Sequence, residues 1–346
     1  MNRQKNVAAA VLTLLILSLC FQQPAFGQRR RRAARRASAT TAALWRDPGN
    51  IPALDLRYGP GLPGWEPASP FTFIKEDKSG ETPKFDVKDA RGVEWKVKLG
   101  PEAQTETVAT RLIWSVGYFA EEAYYLERVR IHGLKKLSRG RQYVENREFV
   151  RGARFEPRRK NVERGPEWDW DKNPFKGTRE LSGLKVLMIL LNNYDARKAN
   201  NRIFYVTGRR GRRREVRYVV TDLGATLGRA GGLGGKRSKN NLKDFLSTRF
   251  VMGVEDDGSV EFDYDTRPTR LGMFTIFYPP YYRGEVKKEK SMRGIPVAHA
   301  RWIGSLLSQL TEAQLRDAFG AAGYDTPTAE GYVRALRERI SQLTRL

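Results

Sequence analysis

The segment that most constrains the fold spans residues 184–228. It begins with a leucine-rich run whose apolar residues have helical spacing, and this run ends at the polar pair Asn192 and Asn193. Two runs of β-type residues follow, at 202–207 and 217–221, and a stretch rich in Gly and Arg joins them. The pattern predicts a buried helix followed by a β-hairpin.

Three polar residues stand at the ends of these elements. Asp195 and Asn200 lie between the predicted helix and the first strand, and Asp222 follows the second strand in the sequence Asp-Leu-Gly. Such an arrangement can support phosphoryl transfer, because one carboxylate can orient or deprotonate an acceptor hydroxyl while the amide oxygen and the other carboxylate hold magnesium against the phosphates. The structural alternative is that all three are turn and cap residues, a role for which Asp and Asn are favoured.

The order D-x-x-x-x-N, hairpin, D-x-G resembles the catalytic and metal-binding loops of the protein-kinase-like superfamily. The loop Asp195-Ala-Arg-Lys-Ala-Asn200 is closer to that of HipA-type kinases than to that of ordinary protein kinases, and phosphatidylinositol kinases have a related loop. The resemblance implies Asp195 as the catalytic acid/base, and Asn200 and Asp222 as metal ligands. The chain departs from the family where Tyr194 precedes Asp195 and where Arg197 replaces the usual loop histidine.

Upstream, residues 71–99 alternate apolar and polar side chains with a period of two, and two turn segments interrupt the alternation. This pattern predicts a three-stranded antiparallel meander. In the resemblance the meander belongs to the small lobe of a kinase, where the Ser79-Gly80 turn would cover the nucleotide phosphates. A phosphate-covering turn needs glycine for close backbone approach, but a plain hairpin turn needs the same residues, so both interpretations stay open.

A lysine and a glutamate are candidates for the nucleotide end of the site. Lys98 and Lys96 point to the same face of the third strand, and we favour Lys98 because a helix with proline in its first turn follows directly. That helix carries Glu102 and Glu106 one turn apart. The kinase-like resemblance implies that one of these acids pairs with the strand lysine. The E-x-x-x-x-R-L sequence context resembles that of the HipA-type helix and favours Glu106 as the partner. The alternative is a solvated acidic face. Lys84 is a further candidate phosphate contact.

Residues 1–27 have the features of a secretory signal peptide. Arg3 and Lys5 provide a positive start, and a short apolar run and small residues follow. We expect cleavage before Gln28 and export to the periplasm or the extracellular space; an uncleaved anchor is the alternative. The only cysteine, Cys20, lies in this segment, so the mature chain would have no disulfide and no cysteine nucleophile.

The chain is strongly basic, with a formal net charge of +24 at pH 7. Residues 29–36 contain six arginines and residues 209–214 contain five. We therefore predict that residues 28–48 form a basic disordered arm, which would adhere to anionic polymer or to a membrane surface through its charge. A solvated tail without a partner is the alternative. The sequence contains no nucleic-acid-binding motif, so we expect no specific nucleic-acid partner.

Together with these patterns, the kinase-like resemblance implies an α+β, two-lobe kinase-like fold, with a β-rich N-lobe at residues 49–165 and a mainly helical C-lobe at residues 166–346. The predicted function is that of an exported atypical kinase, which transfers a phosphoryl group from ATP or another nucleotide, with Mg²⁺ or Mn²⁺, to a hydroxyl of a protein or lipid. The alternatives are a non-catalytic pseudokinase scaffold that binds anionic surface polymer or lipid, and metal-dependent hydrolysis. A Ser-His-Asp triad is excluded, because neither His132 nor His299 stands in a catalytic context.

Overall fold

The structure is a computed structural model that describes residues 42–208, 214–231, 236–266 and 279–346, except for the side chains of Pro279, Tyr281 and Tyr282. The predicted signal peptide, most of the predicted basic arm and most of the second arginine block lie outside the described residues. Within those four ranges, no helix is both long enough and apolar enough to cross a membrane.

The described chain contains twelve strands and seven α-helices, and its last four elements are helices. The strands are β1 (Ala42–Ala43), β2 (Phe71–Asp77), β3 (Lys84–Lys88), β4 (Glu94–Leu99), β5 (Tyr124–His132), β6 (Val144–Glu145), β7 (Phe149–Pro157), β8 (Val162–Glu167), β9 (Asn201–Thr207), β10 (Arg214–Val220), β11 (Val251–Val254) and β12 (Val260–Phe262). The helices are α1 (Pro101–Ser115), α2 (Arg179–Leu190), α3 (Leu242–Leu246), α4 (Pro279–Ser291), α5 (Val297–Leu307), α6 (Glu312–Gly320) and α7 (Thr326–Arg345). The predicted meander is confirmed as β2, β3 and β4, which pair in antiparallel register.

Five strands close into a barrel. Beyond the meander, β4 pairs with β7 and β7 with β5, both antiparallel. The ring closes where β5 runs parallel to β2, with Phe71 opposite Ile131 and Thr72 opposite His132. The interior is filled by fully buried apolar side chains, which include Phe85, Trp95 and Phe155. Closure leaves none of these five strands as a free edge, and α1 connects the third barrel strand to the fourth.

The predicted two-lobe kinase-like fold, with a β-rich N-lobe and a mainly helical C-lobe, is wrong. The first half closes into a barrel, and the second half contains sheets of its own: β1, β10, β9 and β8 form a four-stranded sheet, and β11 pairs with β12. The sequence pattern missed the closure because it depends on pairing between β2 and β5, which are far apart in the chain. It also missed β8, because Gly165 and Pro166 interrupt its alternation.

The second half packs around α2, whose side chains are almost all buried. Thr178 caps this helix by accepting a hydrogen bond from the backbone N–H of Leu181 at 3.2 Å. Helix α5 packs against α2, and α7 packs against α5 and α6. A capping box of Thr311 and Gln314 begins α6. One face of α1 joins this core through Val108 and Leu112. Helix α1 therefore lies between the barrel and the helices of the second half.

Candidate functional site

Lys98 lies at the centre of a buried cluster of charges. It is on β4, and only 5% of its surface is exposed. Its Nζ lies 2.7 Å from Glu106 Oε2, 2.6 Å from Asp222 Oδ1 and 3.5 Å from Glu102 Oε2. Burial opposes the charge of the ammonium, but the charges of Glu106 and Asp222 outweigh burial and raise the pKa of Lys98. The structure therefore brings together three of the predicted site residues, Lys98, Glu106 and Asp222.

The other two candidate lysines occupy different places. Lys96, on the same strand, faces Glu156 and is half-buried, and burial lowers its pKa. Lys84 is the register partner of Lys98 on β3, and its Nζ lies 3.8 Å from Asp77 Oδ2. Lys84 is close enough to Asp222 to lower the pKa of that carboxyl. Lys98 is thus the lysine of the cluster, and Lys84 stands beside it.

Asp222 reaches Lys98 from a strained turn after β10. Its φ of 54° lies in the left-handed region, which few residues other than glycine adopt and which is often found at functional sites. Half of its side chain is exposed, so a ligand can reach the carboxylate from solvent. Burial alone would raise the pKa of Asp222, but the charge and hydrogen bond of Lys98 lower it. The carboxylate is therefore ionised at neutral pH.

Gly224 explains how this turn can lie against α1. A Cβ at residue 224 would stand 2.6 Å from the Cβ of Glu102, closer than side-chain atoms can approach. The hydroxyl of Thr105 on α1 donates a hydrogen bond of 2.7 Å to the carbonyl oxygen of Gly224. The glycine of the Asp-Leu-Gly sequence is needed for this close contact, which holds Asp222 over the helix that carries Glu106.

Asp195 and Asn200 form a second polar group, at the end of α2. Asn200 Nδ2 donates hydrogen bonds to the backbone oxygen of Asp195 at 2.8 Å and to its Oδ2 at 2.9 Å. Arg197 Nε lies 3.0 Å from Asp195 Oδ1. Burial raises the pKa of Asp195, although Arg197 and Asn200 oppose the shift. A partly buried carboxylate with a raised pKa accepts a proton more readily than an ordinary aspartate.

The β9–β10 hairpin places this second group next to the first. Asn201 at the start of β9 is opposite Val220 at the end of β10, and the N–H of Thr221 donates to the carbonyl oxygen of Asn200 at 2.7 Å. Asp195 and Asp222 are close enough that the charge of Asp222 contributes to the raised pKa of Asp195. The predicted catalytic and metal-binding residues therefore share one region of the surface.

The oxygens of this region suit a magnesium-like ion better than a closed metal cage. Asn200 uses its Nδ2 for Asp195, and its Oδ1 accepts no hydrogen bond from any other described residue. Among the described residues, no group of three or more His, Cys, Asp or Glu side chains could hold a metal ion. Mg²⁺ commonly uses one or two protein oxygens, together with water and substrate phosphates. Asn200 Oδ1 and the carboxylate of Asp222 are the oxygens of this region that would contact such an ion, and their role as metal ligands stays a prediction.

The structure does not bring Ser79 and Gly80 to the cluster. The N–H and hydroxyl of Ser79 both donate to Asp77 Oδ1, at 2.9 and 2.6 Å. The carbonyl oxygen of Gly80 accepts a hydrogen bond from Arg139. Because the N–H of Ser79 is already engaged within the turn, it is not available to an anion in this conformation. A role of this turn in covering phosphates stays a prediction.

Sequence reasoning missed Arg154. It is the partner of Lys98 on β7, it is 1% exposed, and its Nε lies 3.3 Å from the same Glu106 Oε2 that contacts Lys98. Its Nη2 donates to Glu156 Oε2 at 3.0 Å. Lys98, Glu106, Arg154 and Glu156 thus form a row of alternating charges inside the protein. Nothing in the surrounding sequence distinguishes Arg154 from the exposed arginines near it.

Three further residues that the sequence did not indicate support the site. Lys239 pairs with Glu102. The hydroxyl of Tyr264 donates to the backbone oxygen of Asn193, and Lys288 Nζ donates to that of Tyr194, both at 2.6 Å. The last two contacts fix the chain just before Asp195. In the sequence, Lys239 stands out only as part of a basic segment with Lys236 and Arg237, and neither Tyr264 nor Lys288 stands out.

Comparisons with models of protein families, with curated proteins and with solved structures found no match. The functional assignment therefore rests on the geometry of this site. The resemblance to kinase-like loops rests on the sequence motifs described above and on no matched protein.

Proposed function

We propose that this protein binds a nucleotide together with a divalent cation and transfers a phosphoryl group to a hydroxyl acceptor. The observation that carries the proposal is the position of Lys98. A buried ammonium is held by Glu106 from a helix and by Asp222 from a strained, half-exposed turn that is distant in sequence. A purely structural ion pair needs neither the strain nor the exposure of its acid. Both are expected of a group that must engage a ligand.

Each residue has a role in the proposed chemistry. Lys98, oriented by Glu106, binds the phosphates of the donor. Asn200 Oδ1 and the carboxylate of Asp222 would hold Mg²⁺ or Mn²⁺, which neutralises phosphate charge when bound. Asp195 orients the acceptor hydroxyl and receives its proton, and its raised pKa favours that step. These roles are the ones that the kinase-like resemblance implies, whereas the fold that carries the residues is different.

The proposed location is outside the cytoplasm, because residues 1–27 have the pattern of a signal peptide. Free ATP is scarce in such compartments, so the donor is ATP supplied to a secretory compartment or another phosphorylated compound. The acceptor is a hydroxyl of a protein or of a lipid. A titration should therefore include several nucleotides rather than ATP alone.

The test is a thermal-shift titration of the purified protein with nucleotides, with and without Mg²⁺ or Mn²⁺. A ligand at a hundredfold excess over its Kd should add about 2.7 kcal/mol to the free energy of unfolding, which raises Tm by a few degrees. Asp222→Asn should lose the metal-dependent part of the shift. Asp256→Asn, which removes an exposed acid from the turn between β11 and β12, should keep it. No shift with any nucleotide would overturn the proposal.

A second candidate function is the binding of anionic surface polymer or lipid without catalysis. One observation favours it: Arg197 contacts Asp195 Oδ1, so a cation occupies the carboxylate that a catalytic base needs free. Binding to anionic vesicles or polymer that falls steeply with salt and survives Asp222→Asn would support this candidate. The same binding lost in Asp222→Asn would count against it.

A further inference from the structure

A cavity at one end of the barrel combines cationic and aliphatic side chains. It lies between the loop after β5 and the β6–β7 hairpin, and its volume is about 640 Å³. Four cations line it, and no acidic residue does: Lys135, Lys136, Arg141 and Arg147. None of these residues belongs to the Lys98 cluster, so an inference about this cavity does not depend on the proposed function.

The floor of the cavity is apolar. Leu137 is buried in the barrel core, and Leu134 and Val144 pack against that core from the outside. These side chains give a ligand a surface continuous with the interior of the barrel. The volume lies within the range of about 300–1,000 Å³ that is usual for small-molecule sites.

The four cations have no acidic partner. The two acids of the neighbouring hairpin are already used by other arginines: Glu145 pairs with Arg128 and Arg151, and Glu148 pairs with Arg130. Arg141 donates only to the backbone oxygen of Leu137, at 3.0 Å. Among the described residues, no carboxylate lies within ion-pair distance of the four cations of the cavity. Their charge is therefore not neutralised locally.

The hairpin turn places one of these cations at a conformational cost. A hydrogen bond of 3.1 Å from the N–H of Glu148 to the oxygen of Glu145 closes the turn. Both central residues have positive φ, 48° at Asn146 and 59° at Arg147. Turns of this kind favour Asn and Gly, which tolerate positive φ, and Asn146 fits that preference. Arg147 does not, and its side chain lines the cavity. The charge of Arg147 is therefore placed at the cavity in an unfavourable backbone conformation.

We propose that this cavity binds a single-chain anionic amphiphile, such as an alkyl phosphate or a fatty acid carboxylate. The head group pairs with the cations at the rim, and the first carbons of the chain lie against Leu134, Leu137 and Val144. The combination selects against neutral amphiphiles, which leave the cations unpaired. It also selects against inorganic anions, which leave the aliphatic floor in water.

The test is a calorimetric titration of the full chain with octyl phosphate below its critical micelle concentration. Inorganic phosphate serves as the head-group control and octyl glucoside as the neutral control. We expect octyl phosphate to bind at least about tenfold more tightly than either, because it satisfies both the charged rim and the apolar floor. Equal binding of octyl phosphate and inorganic phosphate would overturn the proposal.

Two variants locate the site. Lys135→Gln/Lys136→Gln and Arg147→Asn should each weaken octyl phosphate binding by about tenfold, and asparagine suits the positive φ of residue 147. Lys243→Gln/Lys290→Gln removes the same charge from exposed positions elsewhere and should leave binding unchanged. Equal weakening in this control would show a non-specific charge effect and overturn the proposal. So would binding to phosphatidylglycerol vesicles without binding to the soluble amphiphile, because it would indicate a membrane surface rather than this cavity as the partner.

Discussion

Lys98 Nζ and Asp222 Oδ1 are 2.6 Å apart, although the two residues are separated by 124 positions in the chain. Lys98 belongs to the barrel, and Asp222 belongs to the turn that follows the β9–β10 hairpin. Their contact therefore depends on how the barrel and the second half dock through α1. Any substitution that moves the Asp222 turn away from α1 should affect the proposed site before it affects the fold of either half.

The backbone at residue 222 can be tested without a ligand. We expect Asp222→Asn to be less stable than the parent protein at neutral pH, because the amide gives up the ion pair with Lys98, although asparagine tolerates a φ of 54°. Asp222→Ala should be less stable than Asp222→Asn by about 1 kcal/mol, because alanine is strained at positive φ. Urea unfolding of the two variants measures the difference. Equal stability would show that the turn relaxes to an ordinary conformation.

Gly224→Ala should separate the Asp222 turn from α1. The added methyl group would collide with Glu102, so we expect a loss of about 1–3 kcal/mol in unfolding free energy and a smaller nucleotide-dependent thermal shift. Gly253→Ala is the matched control, since the nearest atom to its Cβ would be 3.9 Å away, and it should change stability by less than about 0.5 kcal/mol. If both variants keep the nucleotide shift, the close contact is not needed for binding.

The sequence indicated which residues meet at Lys98 better than it indicated the architecture that supports them. Lys98 and Glu106 are a few residues apart, at the end of a strand and the start of a helix, so local pattern and resemblance together could pair them. Asp222 follows a strand whose hairpin partner begins beside Asn200, and that too is local. Closure of the barrel through β2 and β5 depends on distant segments, and no local pattern reports it.

The burial of charged residues was the least predictable feature. Arg154 lies in a segment with four other arginines between residues 147 and 159, and only the fold shows that it faces Lys98. The Ser79-Gly80 turn shows a choice that the sequence leaves open. Serine and glycine suit both a phosphate-covering loop and a plain hairpin turn, and here the side chain of Asp77 binds the turn itself.

Arg154 should be essential for stability because it compensates two buried acids. Arg154→Met leaves the contacts of Glu106 and Glu156 without their shared guanidinium, so we expect a loss of about 3–5 kcal/mol. Arg154→Lys should lose less, because it keeps the charge while losing the guanidinium that bridges the two acids. Adding Glu106→Gln to Arg154→Met should recover part of the loss in a double-mutant cycle of urea unfolding. Additive losses in that cycle would contradict the pairing.

Asp195→Asn should separate catalysis from stability. Because burial raises the pKa of Asp195, the folded state binds its proton more tightly than the unfolded state does, and the ionised carboxylate is a net cost to folding at pH 7. We expect the variant to be at least as stable as the parent at pH 7, with the gain disappearing below the ordinary Asp pKa of about 3.9. Phosphoryl transfer to an acceptor should fall by about 10²–10⁴-fold, while nucleotide binding persists. Unchanged transfer would exclude Asp195 as the base.

Glu121 predicts a pH dependence of stability that originates outside the proposed catalytic residues. Burial, and then the charge of Glu156, raise the pKa of Glu121 to about 8, although Arg164 and Arg154 oppose the shift. In the unfolded chain a glutamate has a pKa of about 4.3, so between that value and pH 8 the unfolded state gives up its proton first. The free energy of unfolding should therefore decrease as pH rises through this interval and level off above pH 8.

Glu121→Gln isolates this contribution, because glutamine stays neutral and can still donate a hydrogen bond to Glu156. The variant should match the parent near pH 4 and exceed it in stability at pH 9, as measured by urea unfolding at a series of pH values. Glu127→Gln, an exposed position on β5, is the control and should follow the parent at every pH. If Glu121→Gln also follows the parent, the fold does not raise the pKa of Glu121. The row of charges from Glu156 to Lys98 would then be independent of pH in this range.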